Sequence, residues 1–93
     1  MKAIWNGQVL AESDATVQVE GNHYFPPSAV HASHLQPSDT STHCFWKGDA
    51  AYYNVDVEGE HLKDAAWYYP GPYMEAEYFR GFVAFGKSVQ VTE

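Results

Sequence analysis

The segment from Cys44 to Lys47 brings a thiol and an amine close together in sequence, and Asp64 adds a carboxylate further along the chain. A thiolate is a strong nucleophile, and a neighbouring cation such as Lys47 or His43 lowers the pKa of a thiol. These residue types suit a small enzyme that uses Cys44 as its nucleophile, with Lys47 or Asp64 assisting. Strand alternation, however, places His43 and Lys47 on the face opposite Cys44, which favours a buried and inert thiol.

Aromatic residues are dense around these groups and make up 16% of the chain. Tyr52-Tyr53 and Tyr68-Tyr69 are consecutive, so in a strand one member of each pair faces away from the core and can form a stacking or cation–π surface. We interpret these residues as walls of a small-ligand pocket with Cys44 at or near its floor, although aromatic side chains also build ordinary cores. The predicted ligand-binding residues are Trp46, Tyr53, Trp67, Tyr69 and Arg80.

Two further patterns match known ligand sites less well. Residue types that bind zinc occur at His31, His34, His43 and Cys44. Three surface histidines beside a packed cysteine explain this set without a metal. The segment Gly81–Ser88 fits the phosphate-loop pattern, but Val89–Val91 alternates as a strand where a phosphate loop requires a helix. We therefore expect no metal, and the sequence indicates no cofactor.

The elements that position these residues are predicted to be short antiparallel strands joined by tight turns. The two N-terminal hairpins are predicted to turn at Asn6-Gly7 and Gly21-Asn22. Their predicted opposing pairs are Ile4 with Val9, Ala3 with Leu10, and Val19 with Tyr24.

Two later hairpins are predicted to turn at Gly48-Asp49 and Gly86-Lys87. Their predicted opposing pairs are Trp46 with Ala51, Cys44 with Tyr53, Thr42 with Val55, Phe82 with Val91, and Ala84 with Val89. In the first of these hairpins the paired side chains would share one face. The opposite face is mostly polar and would be solvated or line a pocket.

The remaining segments are connections and one further strand. Pro26-Pro27 ends a strand because proline donates no ladder hydrogen bond, and residues 28–35 are predicted to form a short helix or a loop. Leu62–Tyr69 is predicted as an aromatic strand, and Met74–Phe79 as one or two helical turns. The total is about seven or eight short strands. For residues 1–93 we therefore expect a single, mainly β domain, built as a small antiparallel sandwich or barrel.

Charge and cysteine content restrict the partners and the compartment. Twelve acidic residues against five basic ones give a net charge of −7 at pH 7, which repels a nucleic acid backbone. The single cysteine cannot form an intramolecular disulfide, which fits a cytoplasmic protein. We see no secretion signal and no membrane span, so we expect no membrane partner. An interaction module that uses an open sheet edge and outward tyrosines, including a homodimer, is a further alternative.

Several segments carry a resemblance to a known family. They are Cys44–Tyr53, Asp64–Pro70, Tyr24-Phe25-Pro26 and Val83-Ala84-Phe85. On these residues the chain resembles domain-of-unknown-function family 427. The resemblance implies a small bacterial domain with a β-rich fold, described as a β-tent or as barrel-like. Phe45 stands where the family usually has proline, so no special backbone geometry is implied at that position.

Members of this family are sometimes labelled nucleotidyltransferases. That reaction needs clustered acidic metal ligands beside a glycine-rich loop, and the sequence offers no clear set of either. The label therefore supplies no mechanism for this chain.

Overall fold

Short alternating segments and turn-forming pairs fold this chain into nine strands and three 3₁₀ helices. The computed structural model describes residues 1–93. The strands are β1 (Lys2–Trp5), β2 (Gln8–Glu12), β3 (Val17–Val19), β4 (Asn22–Tyr24), β5 (Leu35–Cys44), β6 (Gly48–Val57), β7 (Glu60–Tyr68), β8 (Ala84–Phe85) and β9 (Gln90–Thr92). The 3₁₀ helices are η1 (Pro27–Ala29), η2 (Ala32–His34) and η3 (Met74–Phe79). The mainly β prediction is confirmed, and the segment predicted as helical turns forms η3.

The strands belong to three antiparallel sheets, with orders β2-β1-β9, β3-β4 and β5-β6-β7-β8. The sheets stay open and do not close into one barrel. Phe25, which follows β4, exchanges two backbone hydrogen bonds with Val83, at 2.8 and 2.9 Å. The small β3-β4 hairpin is therefore attached to the larger sheet at one end, and its turn projects away from that attachment.

Three hairpin turns consist of a residue with positive φ followed by glycine. They are Asn6-Gly7 (φ 52° and 74°), Glu20-Gly21 (53° and 83°) and Glu58-Gly59 (49° and 80°). A two-residue turn of this kind requires positive φ at both positions and matches the twist of the flanking strands. The first hairpin has the predicted Ile4–Val9 pair, but a bulge then places Ala3 opposite Ala11 instead of Leu10.

The predicted turn of the second hairpin is wrong by one residue. The turn lies at Glu20-Gly21, so Val19 pairs with Asn22 and Tyr24 pairs with Val17. Glycine takes the second turn position here, and Glu20 accepts the left-handed conformation at the first. This shift places the Glu20 side chain at the hairpin tip.

The predicted Gly48-Asp49 turn is also wrong. Residues 45–47 form the connection, and Cys44 pairs with Gly48, Thr42 with Ala50, and Ser41 with Ala51. The pairs Trp46–Ala51, Cys44–Tyr53 and Thr42–Val55 therefore do not form. Gly48 lies at the start of β6 with φ 104°, and a Cβ there would lie 3.4 Å from Pro72 Cα. This glycine allows two backbone segments to approach each other and does not turn the chain.

The predicted last hairpin does not form, and Phe82 and Val91 belong to different parts of the fold. β8 pairs with β7, with Ala84 opposite Trp67 instead of Val89, whereas β9 pairs with β1 and places Val91 opposite Ala3. Gly86 N–H donates to the Ala65 carbonyl at 2.7 Å, which directs the chain from one sheet to the other. The residues after Ser88 thus enter a strand.

Consecutive residues of the four-stranded sheet divide between two hydrophobic clusters, one on each face. Tyr53 and Tyr68 pack against the first cluster, and Tyr52 and Trp67 against the second. The buried members of the second cluster are Val19, Tyr24, Ala50, Tyr69, Ala76, Phe79 and Ala84. Phe79, on η3, is fully buried, and its ring centre lies 4.9 Å from that of Tyr24 and 6.1 Å from that of Tyr69. Each face of the sheet is therefore covered, and η3 covers the face that carries Trp67.

Replacing Gly48 by alanine should destabilise the fold, because an L side chain rarely adopts φ 104° and the new Cβ would press on the backbone of Pro72. We expect the free energy of unfolding to fall by about 1–3 kcal/mol. Gly71→Ala is the matched control, since a Cβ at Gly71 meets nothing within 4 Å. Urea denaturation of both variants tests this prediction, and an equal decrease in the free energy of unfolding of the two variants would contradict it.

Candidate functional site

Lys47 is the one charged residue that the fold buries, with 7% of its surface exposed. Its ammonium nitrogen lies 5.3 Å from the centre of the Trp46 ring and 5.5 Å from that of Tyr69. Both distances fall in the range of cation–π attraction. Removing an ammonium from water is costly unless it is paired and hydrogen-bonded.

Glu20 supplies the partner from the tip of the β3-β4 hairpin. One carboxylate oxygen, Oε1, accepts a hydrogen bond from Lys47 Nζ, and the other, Oε2, accepts one from Trp46 Nε1 at 3.3 Å. These two hydrogen bonds hold the pKa of Glu20 below its usual value. Burial alone would lower the pKa of Lys47, but the bond to Glu20 and the nearby Tyr24 and Tyr69 outweigh it and raise that pKa. Both members of the pair are thus held in their charged forms.

Two buried tyrosines, Tyr69 and Tyr24, lie on the core side of the ammonium. Burial and the neighbouring Tyr24 raise the pKa of Tyr69 to about 12. Burial likewise raises the pKa of Tyr24, whose hydroxyl oxygen accepts a hydrogen bond from Trp67 Nε1 at 3.1 Å. These phenols are therefore neutral at physiological pH and present hydroxyls and ring faces. We call Lys47, Glu20, Trp46, Tyr24 and Tyr69 the Lys47 site.

The turn that carries Lys47 is fixed by the segment that leads into η3. Tyr73 N–H donates to the Lys47 carbonyl at 3.2 Å, and Phe79 places its ring 6.3 Å from that of Trp46. Gly48 makes this approach possible because it has no side chain. The sequence Trp46-Lys47-Gly48 thus provides an aromatic face, a cation and the space that lets the next segment close over them.

Cys44 lies beside the Lys47 site and is half-buried. The prediction that Cys44 and Lys47 lie on opposite faces is wrong, since Lys47 belongs to the turn and lies against Tyr69, a member of the same cluster on which Cys44 packs. His43 points elsewhere, and its Nδ1 lies 2.7 Å from Asp49 Oδ1 on the exposed surface.

The predicted ligand-binding residues lie in three places. Trp46, Trp67 and Tyr69 belong to or pack against the second cluster, and Trp46 and Tyr69 contact the Lys47 ammonium. Tyr53 lies on the other face, where it stacks on Tyr68 with ring centres 4.8 Å apart. It lines an apolar cleft of about 130 Å³ together with Pro27, Val30, Ala32, Leu35, Gly81 and Val83.

Arg80 is exposed and lies at the end of η3. Its Nε donates to Glu77 Oε1 at 2.6 Å, and its Nη1 donates to the Pro70 carbonyl at 2.7 Å. The bond from Arg80 keeps the pKa of Glu77 below its usual value. Arg80 thus connects η3 to the segment that follows β7.

Asp64, a predicted catalytic candidate, holds the strands around it together. Its carboxylate accepts hydrogen bonds from Ser38 Oγ and from Thr40 Oγ1, the latter at 2.7 Å. Its backbone N–H donates to Asn54 Oδ1 at 2.8 Å, and its φ is 52°. These contacts lie where β5 departs from regular pairing with β6, between Pro37 and Ser41. Asp64 therefore bridges β5 and β7 across an irregular part of the sheet.

The histidines considered as zinc ligands make separate contacts. His31 Nδ1 lies 2.9 Å from the Val9 carbonyl oxygen, and His34 Nδ1 lies 3.3 Å from that of Asp56. No group of three or more His, Cys, Asp or Glu side chains is arranged to hold a metal ion.

Sequence reasoning does not identify Glu20 or Tyr24 as site residues. Glu20 is separated from Trp46 by 26 residues and from Lys47 by 27, and its local pattern indicates only a turn. Tyr24 belongs to the segment that carries the family resemblance, but its alternation indicates a strand residue and no more. Their contribution becomes visible only when the hairpin is placed against the sheet.

Loss of the Asp64 carboxylate should lower stability at neutral pH and remove part of the acid sensitivity. The hydrogen bonds from Ser38 and Thr40 lower the pKa of Asp64 from 3.8, so they stabilise the fold above that pH and the effect is lost as pH falls through the lowered value. Asn tolerates the left-handed conformation, so Asp64→Asn isolates the charge. Thermal unfolding of both proteins across this pH range tests this, and a stability difference that does not shrink in acid would contradict it.

The titration of Tyr69 should make the fold less stable as pH rises, whereas that of Asp64 makes it less stable as pH falls. Its pKa rises from 10.0 to about 12 on folding, so the unfolded chain releases the proton first and stability falls as pH increases between those values. Tyr69→Phe should make this fall less steep, whereas the exposed Tyr73→Phe should not. Urea denaturation over that pH interval measures the slopes, and identical slopes in the two variants would disprove the assignment.

The structure contains no helix long and apolar enough to cross a membrane. No curated protein matches the chain. Residues 1–93 match the family described as "Domain of unknown function (DUF427)". The match covers the whole length given, including the Cys44–Tyr53 and Asp64–Pro70 segments, and it confirms the resemblance. The chain therefore belongs to the DUF427 family.

Proposed function

We propose that this domain binds a small ligand at the Lys47 site. The observation that carries the proposal is the buried ammonium of Lys47, held between the rings of Trp46 and Tyr69. A small β domain gains little stability from a buried ion pair, because apolar residues of similar volume often serve as well or better. A ligand-binding role would explain why the Lys47 charge is buried, whereas packing of the core does not require a charge there.

The surroundings of the ammonium suit a ligand with an apolar body and a polar end. The partly exposed Trp46 ring offers a face for stacking, and the buried Tyr69 ring lies behind the ammonium on the core side. Burial strengthens polar contacts inside the site. Glu20 is more exposed than Lys47: 52% of its side-chain surface is accessible, against 9% for Lys47. The site is therefore reached from the side on which Glu20 lies.

The two other functions considered from the sequence receive less support. An enzyme that uses Cys44 as its nucleophile has less support because its predicted assistants are engaged elsewhere: Lys47 bonds Glu20, and Asp64 bonds Ser38 and Thr40. An interaction module that uses an open sheet edge and outward tyrosines has less support because Tyr52, Tyr53 and Tyr68 pack against the two clusters and Tyr69 is buried. Both functions, and a cytoplasmic location, stay predictions.

A fragment screen by two-dimensional NMR tests the proposed function. We expect aromatic and charged fragments to shift the indole N–H signals of Trp46 and Trp67. Lys47→Met should keep the fold and weaken these fragments by about tenfold or more, equivalent to roughly 1.4 kcal/mol. The exposed Lys63→Met, which changes the net charge equally, is the control. Fragments that bind the Lys47 variant as well as the parent, or only shift residues around the Tyr53 cleft, would exclude the Lys47 site.

A further inference from the structure

We infer that the Lys47 site recognises a carboxylate, and that Glu20 occupies the place of the ligand's carboxylate in this structure. The inference rests on the proposed function and names the class of ligand: a small monocarboxylate with an apolar or aromatic body. Glu20 would then be a displaceable internal occupant of the site.

The donors of the site match the two oxygens of one carboxylate. Lys47 Nζ donates to Oε1 of Glu20, and Trp46 Nε1 donates to Oε2 at 3.3 Å. Each oxygen thus has its own donor, one charged and one neutral. A single ammonium with a neutral indole N–H balances one negative charge, which fits a monocarboxylate better than a dianionic phosphate.

Glu20 lies at a hairpin tip, where its side chain can rotate away from the site while the backbone stays in place. The β3-β4 hairpin itself is held by Val19 and Tyr24, which are buried in the second cluster. The opposite end of the hairpin is fixed by Phe25 and Val83. Because the half-exposed Glu20 carboxylate can be solvated outside the site, its departure costs less than the departure of a buried group would.

The departure of Glu20 would leave two donors, Lys47 Nζ and Trp46 Nε1, without an acceptor. The bond from Tyr73 to the Lys47 carbonyl holds the Lys47 backbone, and the Trp46 and Tyr69 rings hold its ammonium, so the ammonium stays in place when Glu20 leaves. An unpaired buried ammonium is unfavourable, and an incoming carboxylate restores the pairing. The apolar part of the ligand would then lie against the partly exposed Trp46 ring.

The chain offers a matched control for Glu20. Glu58 precedes Gly59 in the β6-β7 turn, and its φ of 49° is close to the 53° of Glu20. It is exposed and lies in a different turn from Glu20. Glu20→Asn and Glu58→Asn therefore remove the same charge from the same turn position, and Asn tolerates the left-handed conformation in both. Only the first substitution empties the Lys47 site.

The experiment compares phenylacetate with the neutral phenylacetamide at constant ionic strength, by NMR titration. Phenylacetate should bind Glu20→Asn about tenfold or more tightly than the parent, because it no longer competes with an internal carboxylate. Glu58→Asn should match the parent, and phenylacetamide should not distinguish the three proteins. Adding Lys47→Met to Glu20→Asn should abolish the gain. If Glu20→Asn does not fold, Glu20→Gln, which keeps the side-chain length, replaces it.

The two proposals fail in different ways. If fragments bind the parent at Lys47 but phenylacetate binds Glu20→Asn no more tightly than the parent, the carboxylate inference is wrong and the proposed function stands. If Glu58→Asn increases the affinity for phenylacetate as much as Glu20→Asn does, the increase comes from the change in net charge and the inference is again wrong. If no fragment and no probe binds at Lys47 in any variant, the proposed function fails, and the inference fails with it.

Discussion

An ammonium group is costly to bury, and this chain buries the one of Lys47 where three connections meet. The β3-β4 turn contributes Glu20, the β5-β6 turn contributes Trp46 and Lys47 itself, and the segment before η3 bonds the Lys47 carbonyl. Each of these segments is irregular or short and packs little on its own. The surroundings of one buried charge are therefore built jointly by three segments that are distant along the chain.

Gly48 and Phe79 make this arrangement possible from opposite sides. Gly48 brings the backbone of Pro72 within contact, which directs the following chain over the β5-β6 turn. Phe79 then fills the space among Tyr24, Tyr69 and Trp46. The aromatic cluster thus serves as core on its inner side and as the wall of the ammonium site on its outer side. This double use explains why the sequence suggests two roles for the aromatic residues, as an ordinary core and as the walls of a pocket.

Local chemistry made part of the fold predictable. Asn6-Gly7 is a strong turn signal because both residues accept positive φ, and the Ile4–Val9 pair follows from it. The same reasoning fails at Gly48, since a glycine that permits close approach looks identical in sequence to one that turns the chain. The distinction depends on Pro72, which is distant along the chain. The pairing of β9 with β1 is likewise decided by long-range contacts and has no local signal.

The candidate site was predictable to a similar extent. Trp46, Lys47, Trp67 and Tyr69 stand out by residue type, and the structure brings them together. Tyr53 stands out equally, but strand alternation sends it to the other face once the register shifts. Glu20 has no distinguishing pattern because its role depends on where a separate hairpin is attached. The residue types that can form a site are thus predictable from the sequence, whereas contacts between separate hairpins are not.

The pairing of β9 with β1 also has a consequence for the order in which the chain folds. Lys2 lies opposite Thr92, so this ladder closes a loop of nearly the full chain length, whereas β5, β6 and β7 are joined by short turns. Loop-closure entropy must be overcome before a distant contact contributes, and non-local pairing slows folding. We therefore expect the central hairpins to form early and the β1-β9 ladder to form late. Nascent chains would spend this interval with the edge of β1 unpaired.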